Sequence, residues 1–122
     1  MKKFFVLGVL IVALIPTGAA TASSTTSASE RSQATSMAKS YLRSQGFSKK
    51  GLIEQLEYEG FSRSAATWGA THAGANWLTQ AVIVAKSYLR SQAFSRSGLL
   101  EQLEYEGFTH YQASYGVSRA YR

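Results

Sequence analysis

The sequence predicts an all-α protein: a tandem pair of three-helix, helix-turn-helix-like repeats joined by a shared long helix. Three observations carry that reading. The stretch Ala38–Gly69, AKSYLRSQGFSKKGLIEQLEYEGFSRSAATWG, recurs at Ala85–Gly116 as AKSYLRSQAFSRSGLLEQLEYEGFTHYQASYG. The offset is a constant 47 residues, without insertion or deletion, and about two thirds of the aligned positions are identical. A fixed period marks a structural unit used more than once. Inside each unit, apolar residues recur at helical spacing and are interrupted by aromatic–hydroxyl pairs that suit short turns. The only proline is Pro16, so none breaks a helix downstream.

Taken in order, Met1–Ala22 reads as a secretory signal peptide. Lys2 and Lys3 form a positive n-region and Phe4–Ile15 an uncharged apolar core; Pro16 and Gly18 break it, and Ala20-Thr21-Ala22 offers small residues for cleavage. About twelve apolar residues are too few to span a bilayer of roughly 30 Å. A membrane is therefore expected to be met only through this segment, if it stays uncleaved. No cysteine follows the apolar run, so lipid attachment through an N-terminal cysteine is not expected. Ser23–Ser32 (SSTTSASERS) reads as a disordered spacer, too polar to offset the entropy of ordering. The first repeat is placed at 33–74 and the second at 75–122.

In the first helix of the first repeat, Ala34, Met37, Ala38, Tyr41, Leu42 and Gln45 share one side, with Lys39 and Arg43 facing away. Gly46 is expected to end it in a left-handed conformation. The second helix turns Leu52, Ile53 and Leu56 inward, and Gly60 stops it. The third, Arg63 to about Ala73, carries Ala66, Gly69, Ala70 and Ala73, small residues that let two helix backbones approach closely. The junctions Phe47-Ser48, Phe61-Ser62, Phe94-Ser95 and Phe108-Thr109 each pair a ring that can be buried with a hydroxyl that can cap the next helix. Ala75–Gln92 reads as one long helix whose front, around Trp77, packs on repeat one and whose rear belongs to repeat two. Trp77, Leu78, Val82 and Ile83 are too apolar for a linker.

Composition narrows the chemistry. The formal charge is +6; beyond residue 22 it is +4, from 11 Lys and Arg against 7 Glu. That balance suits acidic partners but lacks the dense basic stripe of a nucleic-acid binder. With neither Cys nor Asp in the chain, disulfides and thiolate metal sites are excluded, and the acids are all Glu. No cofactor or metal is expected.

The pattern YLxxxxFSxxGLxEQLExEGFS, Tyr41–Ser62 and again Tyr88–Thr109, resembles the helix-turn-helix repeat of the Ltp-like family. Those are host cell surface-exposed lipoproteins of Gram-positive bacteria and their temperate phages. The resemblance implies a tandem all-helical fold displayed outside the cell. It also implies superinfection exclusion, in which entry of incoming phage DNA is blocked through contact with a phage tail protein. Family lipoproteins carry a cysteine for lipid attachment, and this sequence has none. The resemblance brings no catalytic residue.

Weighed for catalysis, Glu54 and Glu57 lie three apart on one helix face, with Lys49 and Lys50 a turn or two away; a solvated charged face is the expectation. His72 and His110 are not at equivalent repeat positions and read as surface residues. The third helices carry few base-reading side chains, so cytoplasmic DNA is not the expected partner. The candidate partner surface is instead aromatic: Tyr58 with Glu54, and Tyr105 with Glu101, opposite the inward leucines, together with Trp68, Tyr111 and Tyr115 on the third helices. The chain is thus expected to be an exported, monomeric, non-catalytic binding protein whose partner is a phage tail protein or an envelope protein. A secreted adaptor for a host cell-envelope component is the alternative, and a cell-wall hydrolase would lack a catalytic set.

Overall fold

The computed structural model describes residues 25–122, which form six helices and no strand: α1 Thr25–Ser44, α2 Lys49–Tyr58, α3 Arg63–Thr71, α4 Trp77–Ser91, α5 Arg96–Tyr105 and α6 His110–Ala120. The signal-peptide segment, 1–22, lies outside the described residues.

All four aromatic–hydroxyl junctions form as the sequence indicates. Ser48, Ser62 and Ser95 accept at Oγ from the N–H of Gly51, Ala65 and Gly98 at 2.8, 3.1 and 2.9 Å. Thr109 accepts from Gln112 N–H at 3.1 Å, while Gln112 Oε1 accepts from Thr109 N–H at 3.0 Å, completing a capping box. The rings fold back on the cores: Phe47 meets Tyr41 edge-on at 5.6 Å and Phe94 meets Tyr88 at 5.5 Å. Gly60 and Gly107 close α2 and α5 at φ +107° and +108°, a region closed to most side chains.

Each repeat has its own core. Ala38, Leu52, Ile53, Leu56, Ala66 and Ala70 form the first; Ala81, Val84, Ala85, Leu99, Leu103, Phe108, Ala113 and Val117 form the second. The third helix of each repeat lies almost backbone to backbone on the first. A Cβ at Gly69 would stand 2.7 Å from the Ala34 carbonyl carbon, and one at Gly116 the same distance from that of Ala81. Only glycine permits that approach.

Helix α4 is shared as expected, though shorter than Ala75–Gln92: Asn76 Oδ1 caps Leu78 and Thr79 N–H at 3.0 and 3.1 Å, fixing its start. Trp77 packs half-buried on the first core, while Ala81, Val84 and Ala85 belong to the second. Ile83, one of the four residues read as too apolar for a linker, is 40% exposed yet turns its Cγ2 toward Gly46 of repeat one.

Two expectations are corrected. The stretch read as a disordered spacer is helical from Thr25 onward. Its polarity is offset by partners on repeat one: Glu30 accepts from Ser62 N–H at 2.8 Å, and the Arg31 guanidinium sits 4.3 Å from the Trp68 ring centre. Gly46, expected in a left-handed turn, does not have positive φ. It is small because α4 presses on it: a Cβ there would stand 2.8 Å from Val84 Cγ2 and 2.9 Å from Ile83 Cγ2.

The same corner ties the repeats together. Phe47 N–H donates to Gln80 Oε1 at 2.9 Å, and Ser48 Oγ donates to the Glu106 carbonyl at 2.6 Å. Gly107 lies against Lys50 and Ser48, so closely that a Cβ would meet them at 2.7 and 2.9 Å.

Candidate functional site

On α2, burial of Leu52 and Leu56 turns Glu54 and Tyr58 to the opposite side; on α5, Leu99 and Leu103 do the same for Glu101 and Tyr105. Tyr58 is 82% exposed and Tyr105 75%, so neither ring contributes to a core. Glu54 pairs with Lys50 at 2.5 Å, an exposed helical pair of small energetic weight. Ser97 stands where a matching lysine would serve Glu101, so the second copy of the stripe carries an acid with no such partner.

The third helices present a different surface. Trp68 is held between the Arg31 guanidinium and the His72 ring, stacked at 3.8 Å, and the residue is 39% exposed. At the matching place in α6, Tyr115 is half-buried under the Arg119 guanidinium at 4.4 Å. Tyr111 projects freely, 69% exposed. The seven candidates thus lie on four helices, α2, α3, α5 and α6. No aromatic pair among the described residues joins Tyr58 to Tyr105. His72 and His110 are exposed, the latter 2.5 Å from Glu104. Among the described residues no group of three or more potential ligands could hold a metal ion.

The structure also builds a polar arrangement that periodicity did not single out. In repeat one the Tyr41 hydroxyl donates to Glu59 and accepts from Gln55 Nε2 at 3.2 Å. In repeat two Tyr88 donates to Glu106, and Gln102 Nε2 reaches both Tyr88 Oη at 3.3 Å and Glu106 Oε2 at 3.1 Å. Burial, then the hydrogen bond to Glu59, pushes the Tyr41 hydroxyl up to about 12, so it remains a donor at ordinary pH. Burial alone pushes the Glu106 carboxyl up to about 7. The one signal available in the sequence is that Tyr, Gln and Glu recur at the repeat offset. These groups pin the first helix of each repeat to the end of the second; each Glu is already engaged by a tyrosine.

Two helix-turn-helix-like units, capped alike, cored separately and locked at one corner, define a tandem all-helical repeat protein with aromatic residues on its outer faces. The chain belongs to the host cell surface-exposed lipoprotein family, whose repeat matches residues 29–72 and again 76–119. The fold is also that of the structure described as Ltp, a superinfection exclusion protein from the Streptococcus thermophilus temperate phage TP-J34: TM-score 0.69 at 30% identity, covering 73% of this chain and 93% of that one. No curated protein matches the chain.

Proposed function

We propose that this protein is an exported, surface-exposed binding protein that acts in superinfection exclusion, contacting a phage tail protein and so preventing DNA entry without catalysing a reaction. The observation that carries the reading is the structural likeness, over 73% of this chain, to a superinfection exclusion protein, alongside the family match over both repeats and the like-capped second helices. The surface is consistent with binding: Tyr58 and Tyr105 offer ring area and a hydroxyl while serving no core. Export would run through the N-terminal 22 residues, with the repeats outside the membrane of a Gram-positive host. None of the described helices is long and apolar enough to cross a bilayer.

The experiment is a challenge assay in a phage-sensitive host expressing the full chain. Adsorption should be unchanged while DNA entry and plaque formation fall. Changing Tyr58 and Tyr105 together to Ala should leave the melting midpoint within what about 0.5 kcal/mol produces. The same change should abolish most of the exclusion if the rings are hot spots of about 2 kcal/mol or more each. Blocked adsorption would point to receptor masking, and intact exclusion in the double variant would move the contact to another face.

A further inference from the structure

Where the repeats meet, a cleft of about 300 Å³ opens between the rear half of α1, the α3–α4 loop and the first turn of α4. Its cations are Lys39 and Arg43, and no carboxylate lines it. Both are exposed, and neither forms an ion pair among the described residues; Arg43 makes only a 3.3 Å hydrogen bond to Ser40 Oγ. The inner wall is Gln80, 8% exposed. Its Oε1 is taken by Phe47 N–H at 2.9 Å, which fixes the amide and leaves the Nε2 donor with no partner among the described residues. A buried donor without an acceptor is costly, and it favours a ligand that accepts hydrogen bonds. Thr79 adds a hydroxyl, while Leu42 supplies an apolar wall.

We infer that this cleft is an anion site that receives the side-chain carboxylate of an acidic peptide segment. Two cations and a buried amide donor select an acceptor-rich, negatively charged head, for which arginine's planar fork is suited. The leucine wall and a volume at the lower end of ligand pockets favour a head carried on an aliphatic stem over a bare inorganic ion. Lys86 and Arg90 occupy the matching places in repeat two, whereas Thr79 and Gln80 come from α4, the first helix of the repeat that follows α1, so the cleft lies at the meeting of the two repeats. The inference rests on the reading of the chain as a protein binder and gives the chemistry of the segment it would take.

The test is a titration of the intact chain followed by ¹H–¹⁵N NMR. The probe is an acetylated, amidated Ala-Leu-Glu-Leu-Ala peptide, compared with the same peptide carrying Gln for Glu and with inorganic phosphate. The acidic peptide should shift the Gln80 side-chain NH₂ and the backbone of Lys39, Arg43 and Thr79, and the shifts should shrink with added salt. The Gln peptide should bind about tenfold more weakly or not at all. Lys39→Gln with Arg43→Gln, both exposed, should remove the response while leaving the circular dichroism unchanged. No perturbation by the acidic peptide, an equal response to the Gln peptide, or tighter binding of phosphate than of peptide would each overturn the assignment. The challenge assay on the Tyr58 and Tyr105 variant is independent of this titration, so failure of the cleft and failure of the exclusion reading are told apart.

Discussion

At Glu106 the carboxylate accepts from the Tyr88 hydroxyl and from Gln102 Nε2, yet burial still lifts its pKa from an ordinary 4.5 to about 7. The folded state therefore holds this proton more tightly than the unfolded chain between those values. The contribution to stability is full below about pH 4.5, is lost as pH rises through 7, and is constant above. At about 1.4 kcal/mol per unit, the swing from this group is on the order of 3 kcal/mol. Glu106→Gln removes the charge and keeps an oxygen for Tyr88. Urea denaturation should find the variant more stable than the parent at pH 8 and close to it at pH 4.5. A stability difference that does not change with pH would show that Glu106 ionises in the fold as easily as in the open chain.

Helix starts are where the two copies can be compared most directly, because Ser48 and Ser95 cap α2 and α5 with nearly the same geometry. Ser95→Ala should cost the cap alone, about 1 kcal/mol. Ser48→Ala should cost that and the bond to the Glu106 carbonyl, a further 1 kcal/mol or so, since that carbonyl loses its donor at the corner where the repeats join. Equal losses in thermal melts of the two variants would mean that the inter-repeat bond carries no weight. The comparison also separates what could be read in the sequence from what could not. Caps, terminating glycines and leucine faces are set by residues within a few positions of each other, so the helices and the outward placing of Tyr58 and Tyr105 were legible. The helical start of α1 depends on Glu30 reaching Ser62, 32 residues away, and Ser48 reaches Glu106 across 58. No local pattern encodes such distances, which is why Ser23–Ser32 read as a spacer and the Tyr–Gln–Glu networks went unseen. The cleft lined by Gln80 needs three separated segments and was equally hidden.

On the scale of the whole molecule, Gly46 and its counterpart Ala93 show how two near-identical units were fitted to different surroundings. Gly46 faces α4, with Val84 and Ile83 methyls closer than any Cβ would tolerate, whereas Ala93 is exposed. The methyls belong to β-branched side chains with little rotamer freedom, so they cannot easily swing aside. Gly46 has ordinary φ, and at such a position alanine would normally stabilise by about 0.4–1 kcal/mol through the unfolded chain. Here the overlap should win: Gly46→Ala is expected to lose about 1–3 kcal/mol by overpacking the corner. Ala93→Gly, having no such overlap to relieve, should lose at most about 1 kcal/mol through added unfolded-state entropy. Trp77 on the first core and Val84 in the second make α4 common to both repeats, so the damage at Gly46 should be felt by the whole chain. Fluorescence of Trp68 and Trp77, both reporting on repeat one, and circular dichroism of all six helices should then give one coincident transition at a lower midpoint. A fluorescence transition that moves down while a second circular-dichroism transition stays at the parent midpoint would show that the repeats unfold independently and that the corner is a contact without cooperativity.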